Sequence, residues 1–169
     1  MSTAIVFSDG RLIFEGRAFR AALGRGGVRE RKVEGDGATP CGLLPLRRVL
    51  FRADRVAPPR CAVPREPLAP SDGWCDAPDD VAYNRPVTLP YSGRHEELWR
   101  RDGLYDVIGV LGWNDAPVRR GEGSAIFLHV GRPDLSPTEG CVALPLVDLL
   151  AVLAAGLTEV EIKESTSFL

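Results

Sequence analysis

The sequence predicts a mainly β fold with one principal helix, an α+β arrangement in a single domain spanning residues 1–169. Three observations lead there. Short apolar runs recur between Gly-, Pro- and Asp-rich turns. One stretch, after Cys141, repeats its leucines at helical spacing. Eight of the fourteen prolines crowd between Pro58 and Pro90, where no regular helix can run. A chain of 169 residues lies near the common size of one domain and is long enough for one buried core.

In chain order, Thr3–Phe7 and Arg11–Glu15 flank Ser8-Asp9-Gly10, and Asp-Gly between two apolar runs signals a hairpin. Ala18–Leu23 reads as a third strand before the loop Gly24–Gly27. The turn cluster Gly35–Gly42 precedes a further strand within Leu43–Arg52. The proline-rich stretch is loop with edge strands, and Glu96–Arg101 is expected to form a short helix. Leu104–Leu111 and Ser124–Val130 are expected as neighbouring buried strands. In the second, alternation sets Ala125, Phe127 and His129 on one face and Ile126, Leu128 and Val130 on the other. Pro145 suits the first helical position, Leu146, Leu149, Leu150 and Leu153 form the stripe, and Gly156 suits the C-cap. Val160–Lys163 closes the chain as a strand. No internal repeat and no interdomain linker is evident.

Composition narrows the function classes. A hydrophobic share of 44% and a charged share of 26% exclude a disordered, collagenous or disulfide-packed chain. No run approaches the ~20 apolar residues of a bilayer span, so no membrane partner is expected. The N-terminus lacks a basic stretch followed by an apolar core and cleavage site. With Met1 as the true start the expected location is the cytoplasm; with an upstream signal it is the periplasm. Cys41, Cys61, Cys75 and Cys141 are widely spaced, without a Cys-x-x-Cys pair or a neighbouring His to complete a zinc pattern, so no metal is expected. Cys41, Cys61 and Cys75 read as packing or loop thiols.

The net charge of −2 hides an asymmetry, since residues 1–65 carry 13 basic and 6 acidic side chains and residues 66–169 carry 8 and 17. The arginines are scattered without a helical stripe or interleaved aromatics, so nucleic acid is not an expected partner. A solvated surface and a groove favouring an anionic small substrate are the two remaining readings.

The segment Ile126–Leu144 carries the chemistry. A His at a strand end, His129, joins through a Pro-containing loop to Thr138-Glu139-Gly140-Cys141, and turn formers allow the loop to fold Cys141 back toward His129. A thiol beside an imidazole is what nucleophilic acyl transfer needs. Gly140 leaves the nearby amides free to approach an oxyanion. Spacing alone favours the plainer reading, a buried Cys beside a hydrogen-bonded His. Asp134 reads as orienting His129 or, more simply, as a turn former after Pro133. His95 reads as surface or substrate contact, and Trp99 and Tyr105 as core in preference to groove wall.

Taken together, Gly35-Asp-Gly-Ala-Thr-Pro-Cys-Gly42, Tyr105–Leu111, His129 and Thr138-x-Gly-Cys-Val142 resemble, in order, the YkuD-type L,D-transpeptidase catalytic domain. The resemblance runs from about Ile13 to Leu153. It implies a β-sandwich or barrel of mixed strands in which Cys141 is the nucleophile, His129 the base, and backbone near Gly140 and Cys141 the oxyanion site. It implies peptidoglycan stem peptides or muropeptides as partners, hence a bacterial setting, and no cofactor. The reaction begins at the L-centre carbonyl of diaminopimelate and releases D-alanine; an amine then gives a cross-link and water gives an L,D-carboxypeptidase. Without a visible export signal, hydrolysis of cytoplasmic fragments in wall recycling is the expected version. Thr138, Glu139 and Arg132 are candidate substrate contacts. Three departures stand out: Glu139 occupies the place of a second family His, Ala143 that of an Arg or Asn, and the interval from His129 to Cys141 is shorter than the family's. Glu139 is expected to raise the neighbouring thiol pKa. The changes at Glu139 and Ala143 motivate an alternative, a catalytically silent module that binds peptidoglycan fragments or a partner.

Overall fold

The computed structural model describes residues 2–165. The chain opens as a meander of β1 (Thr3–Phe7), β2 (Arg11–Phe14) and β3 (Arg17–Arg20). The Asp9 carboxylate accepts the Arg11 amide at 3.0 Å, which fixes the first turn. Two short strands follow, β4 (Val28–Arg29) and β5 (Thr39–Pro40), then the ten-residue β6 (Gly42–Phe51). The proline-rich region holds β7 (Arg65–Pro67), β8 (Asp72–Cys75) and β9 (Pro86–Thr88), and β10 (His95–Glu97) follows it. The final part comprises β11 (Val107–Leu111), β12 (Phe127–Val130), β13 (Val142–Leu144), α1 (Leu146–Ala154) and β14 (Glu159–Lys163).

Nine strands make one mixed sheet, in the order β13-β12-β11-β6-β14-β1-β2-β3, with β7 on the flank of β6. The length of β6 makes this possible, because Gly42–Pro45 pairs with β14 whereas Leu46 and Arg48–Phe51 pair with β11. The two ends of the sheet then meet. Ala22 and Ala143 exchange main-chain hydrogen bonds of 2.8 and 2.9 Å, so the sheet is nearly closed and its free edges are short.

Alternation along β11 and β12 feeds two cores. Leu128, Val107 and Leu111 face the larger one, with Val142, Leu144 and the α1 residues Leu149, Val152 and Leu153. Phe127, Ile108 and Val110 face the other, roofed by Leu68 and Trp74 from the proline-rich region and by Leu98 just after β10. Full burial of each such side chain contributes about 1.5–3 kcal/mol. The roof rests on the small sheet β10-β8-β9, and it leaves a cleft where the β12 face runs past it. The mainly β architecture and the two faces of β12 agree with the sequence reading.

Several local expectations are corrected. Glu96–Arg101 is not a helix: His95–Glu97 pairs with β8, Glu96 opposite Trp74, because six residues cannot sustain a helix against an open strand edge. Pro145 is the N-cap of α1, one residue before the first helical position, with its carbonyl accepting the Leu149 amide at 2.9 Å. Ala155 is the C-cap, and Gly156 at φ +97° takes the left-handed position beyond it. β12 starts only at Phe127, since Ala125 at φ +53° breaks the extended chain. The third strand ends at Arg20, and Ala22 joins the sheet through its bridge to Ala143. No helix among the described residues is long and apolar enough to cross a membrane.

Candidate active site

Parallel pairing of β12 and β13 sets Leu128 opposite Val142 and His129 opposite Ala143. With side chains alternating, Cys141 enters on the same face as Phe127 and His129. Both Cys141 and His129 line a cleft of about 270 Å³, as do Thr138, Glu139, Gly140 and Arg132. The sequence-derived residues are therefore brought together in one place.

The Cys141 side chain is 8% exposed. Its thiol donates to the Ala125 carbonyl at 3.2 Å, and the Phe127 amide donates to Sγ at 3.4 Å. Burial pushes the thiol up to about 12, and the nearby Glu96 carboxylate adds to this. The thiol is thus neutral at rest. His129 is equally enclosed, at 6% exposure. Its Nδ1–H donates to the Val130 carbonyl at 2.8 Å, since a carbonyl can only accept, and the neutral ring then keeps its lone pair on Nε2. Burial holds the imidazole below its ordinary range, opposed by the Val130 carbonyl. Tyr105 packs against the ring edge to face, with centroids 5.3 Å apart.

The loop before Cys141 is clamped by the segment that closes the sheet. The Arg25 amide donates to the Thr138 carbonyl at 2.8 Å, and the Thr138 amide to the Leu23 carbonyl at 2.9 Å. The Thr138 hydroxyl donates to the Cys141 carbonyl at 2.7 Å and accepts the Gly140 amide at 3.1 Å. Gly140 stands at φ +140°, and a Cβ there would come within 2.8 Å of the Ala38 carbonyl oxygen. A Cβ on Gly24 would meet the Gly37 carbonyl oxygen at 2.2 Å and the Gly140 Cα at 3.0 Å, so three backbone strands touch here and only glycine fits. The Thr39 hydroxyl accepts the Gly24 amide at 2.9 Å in this buried spot. The Thr-Pro-x-Gly element is accordingly a brace behind the Cys141 loop.

Other expectations change. Glu139 points outward and pairs with Arg25 at 2.9 Å, its side chain 80% exposed; the carboxylate acting on the thiol is Glu96. Arg132 is exposed at the cleft rim. Asp134 caps a turn by accepting the Ser136 amide at 3.0 Å, as the simpler reading held. His95 bonds the Gly93 carbonyl at 2.8 Å, away from the Cys141 cleft. Tyr105, favoured as core, is both buried and part of the cleft wall. The groove is not basic through its first third, because Glu34 alone of residues 1–65 lines it, facing Asp76, Glu96 and Arg100 from later in the chain.

Sequence reasoning missed Glu34, Asp76, Glu96 and Arg100, which lie on loops and short strands with no motif. Glu96 is largely buried, its carboxyl held above the ordinary range by that burial, and it accepts the Tyr105 hydroxyl. Among the described residues, no three His, Cys, Asp or Glu side chains converge as a metal site.

A nearly closed mixed sheet with one helix after the cleft defines the YkuD-like β-sandwich class. The model of the YkuD family, the L,D-transpeptidase catalytic domain, matches residues 1–162, and the chain belongs to that family. Its function is of the L,D-transpeptidase type on peptidoglycan, and it is an enzyme by family. No curated protein matches the chain significantly.

Proposed function

We propose that the protein is a cysteine-dependent acyltransferase on peptidoglycan stem tetrapeptides, with Cys141 as nucleophile and His129 as base. The observation that carries this reading is that Cys141 and His129 line one cleft from the same face of the sheet, with the His129 Nδ1–H committed to Val130 so that the neutral ring holds its lone pair on Nε2.

A thiol held near 12 leaves the free thiolate about 7 kcal/mol uphill at neutral pH. The proton therefore passes to Nε2 as sulfur attacks, and no resting ion pair is needed. Sγ bonds to the L-centre carbonyl of diaminopimelate, and the tetrahedral intermediate collapses with breakage of the C–N bond. His129 returns the proton to the leaving D-alanine nitrogen. The thioester is then resolved by an amine, giving a cross-link, or by water, giving an L,D-carboxypeptidase. Because the Gly140 amide is bonded to Thr138, the amide of Cys141 is the one left for the oxyanion. Thr138 shapes that loop, and Glu139 and Arg132 stand at the rim as substrate contacts.

The test is release of D-alanine from a diaminopimelate tetrapeptide by the purified protein, abolished by Cys141→Ala. One observation favours a second reading, a silent peptidoglycan-binding module: the resting thiol bonds Ala125 rather than the imidazole. Binding of the tetrapeptide without D-alanine release or carbapenem acylation identifies that case.

A further inference from the structure

Two cations line the cleft among the described residues, Arg100 and Arg132, and only Arg100 is built in. Its main chain is pinned from behind. Arg52, 5% exposed and stacked 3.5 Å over the Trp99 ring, donates Nη1 to the Arg100 carbonyl at 2.6 Å. Arg55 donates to the Arg101 carbonyl at 3.2 Å and to Asp106 at 3.0 Å. The Arg100 guanidinium gives Nε and Nη2 to Asp102, at 3.1 and 2.5 Å, and lies over the Tyr105 ring at 5.1 Å. Its Nη1 edge makes no protein hydrogen bond among the described residues. No fully buried side-chain nitrogen there lacks a partner, and the Arg100 side chain is 33% exposed on the cleft lining, so this edge is not sealed off.

The same Tyr105 ring carries His129 at its other contact, 5.3 Å between centroids. Whatever nitrogen His129 protonates must lie at the imidazole. In a peptide cut one residue from its end, the carboxylate carbon of the released amino acid is about 2.5 Å from that nitrogen. Of the two cations, Arg132 is exposed at the rim whereas Arg100 is fixed beside Tyr105, and Glu34, Asp76, Glu96 and Glu139 repel a carboxylate, so the Arg100 side is its place.

We propose that Arg100 is a specificity-determining residue whose open Nη1 edge binds the terminal α-carboxylate of the substrate. The protein then discriminates against a peptide whose terminal carboxylate is amidated. This rests on the Cys141–His129 reading for which side of the cleft the leaving group occupies. Arg100 has a second effect, since its charge disfavours the protonated imidazole. Asp102 opposes it, and Tyr105, Glu96 and Cys141 are the other ionisable groups in this wall.

The experiment compares a diaminopimelate tetrapeptide ending in free D-alanine with its C-terminal amide, by calorimetry on the Cys141→Ala protein. The free acid is expected to bind at least about tenfold more tightly, as for a hydrogen bond to a charged group. Arg100→Gln brings the ratio near one, and Arg100→Lys retains part of it. In the Cys141 protein, Arg100→Gln raises KM for the acid and raises the His129 imidazole titration followed by NMR, whereas Arg100→Lys restores the titration. Equal binding of acid and amide to the parent protein, or a preference surviving in Arg100→Gln, overturns the proposal. Should Arg100→Gln fail to fold, the parent comparison and Arg100→Lys still decide it. Preference without turnover in the Cys141 protein overturns the catalytic reading and leaves this one standing.

Discussion

His129 on β12 and Cys141, the residue just before the parallel strand β13, share one face, with Cys141 two residues before Ala143, the partner of His129, yet the Cys141 thiol donates to the Ala125 carbonyl at 3.2 Å. The pair is thus built as two neutral groups, each tied to main chain, and the imidazole is already in the tautomer that accepts a proton at Nε2.

That neutral state has a labelling signature. Iodoacetamide reacts with thiolates, so at pH 7–8 it should modify the half-buried Cys61 and Cys41 before the buried Cys141, whose thiol is held near 12, with Cys41 slowed because burial raises its thiol as well. A carbapenem, which presents a carbonyl to the cleft, should acylate Cys141 and leave the others. Peptide mass mapping checks both orders.

The pH profile follows from His129. Its pKa is lowered mainly by burial, so the base is already neutral above the ordinary imidazole range. The acid limb of kcat/KM is expected below pH 6.5, the usual value, with activity rising as pH rises through it. The linked effect on stability has the same sign: the folded protein binds this proton less readily than the unfolded chain. The contribution is full above the unfolded pKa and is lost as pH falls through the folded one. A denaturation series between pH 7 and 5 measures it.

Gly140→Ala forces a Cβ against the Ala38 carbonyl at 2.8 Å with φ at +140°. A loss of about 1–3 kcal/mol in stability is expected, together with a fall in D-alanine release larger than the unfolded fraction explains. Urea denaturation beside a rate measurement separates the two.

Thr39→Val removes the acceptor of the buried Gly24 amide. Stability should fall by about 1–3 kcal/mol. In contrast, Glu139→Gln removes an exposed pair with Arg25 and should change stability by less than about 1 kcal/mol. Thermal melts of the two variants give the contrast.

Much of this was legible in the sequence because it depends on local pattern. Alternation at Phe127, Leu128 and His129 gave the two faces of β12, and leucine spacing after Pro145 gave α1. The Cys141 loop was recognisable because its glycine and threonine have fixed backbone duties. What escaped depends on distant pairing. Glu96 became a strand residue because β8 offered an edge, and Arg100 reached the cleft because Arg52 and Arg55 hold its loop from another part of the chain. Glu139 lies two positions before Cys141, yet it faces solvent, while Glu96 acts on the thiol from 45 positions away. Through-space charge has no sequence signature.

The central claim is covalent catalysis at Cys141, and the mass of the protein during turnover tests it most directly. After rapid quenching with a diaminopimelate tetrapeptide, the account predicts an adduct equal to the tetrapeptide minus D-alanine, mapped to the Cys141 peptide, slow to form in His129→Gln and absent in Cys141→Ala. D-alanine release that persists in Cys141→Ala, or an adduct mapped to Cys41, Cys61 or Cys75, contradicts it.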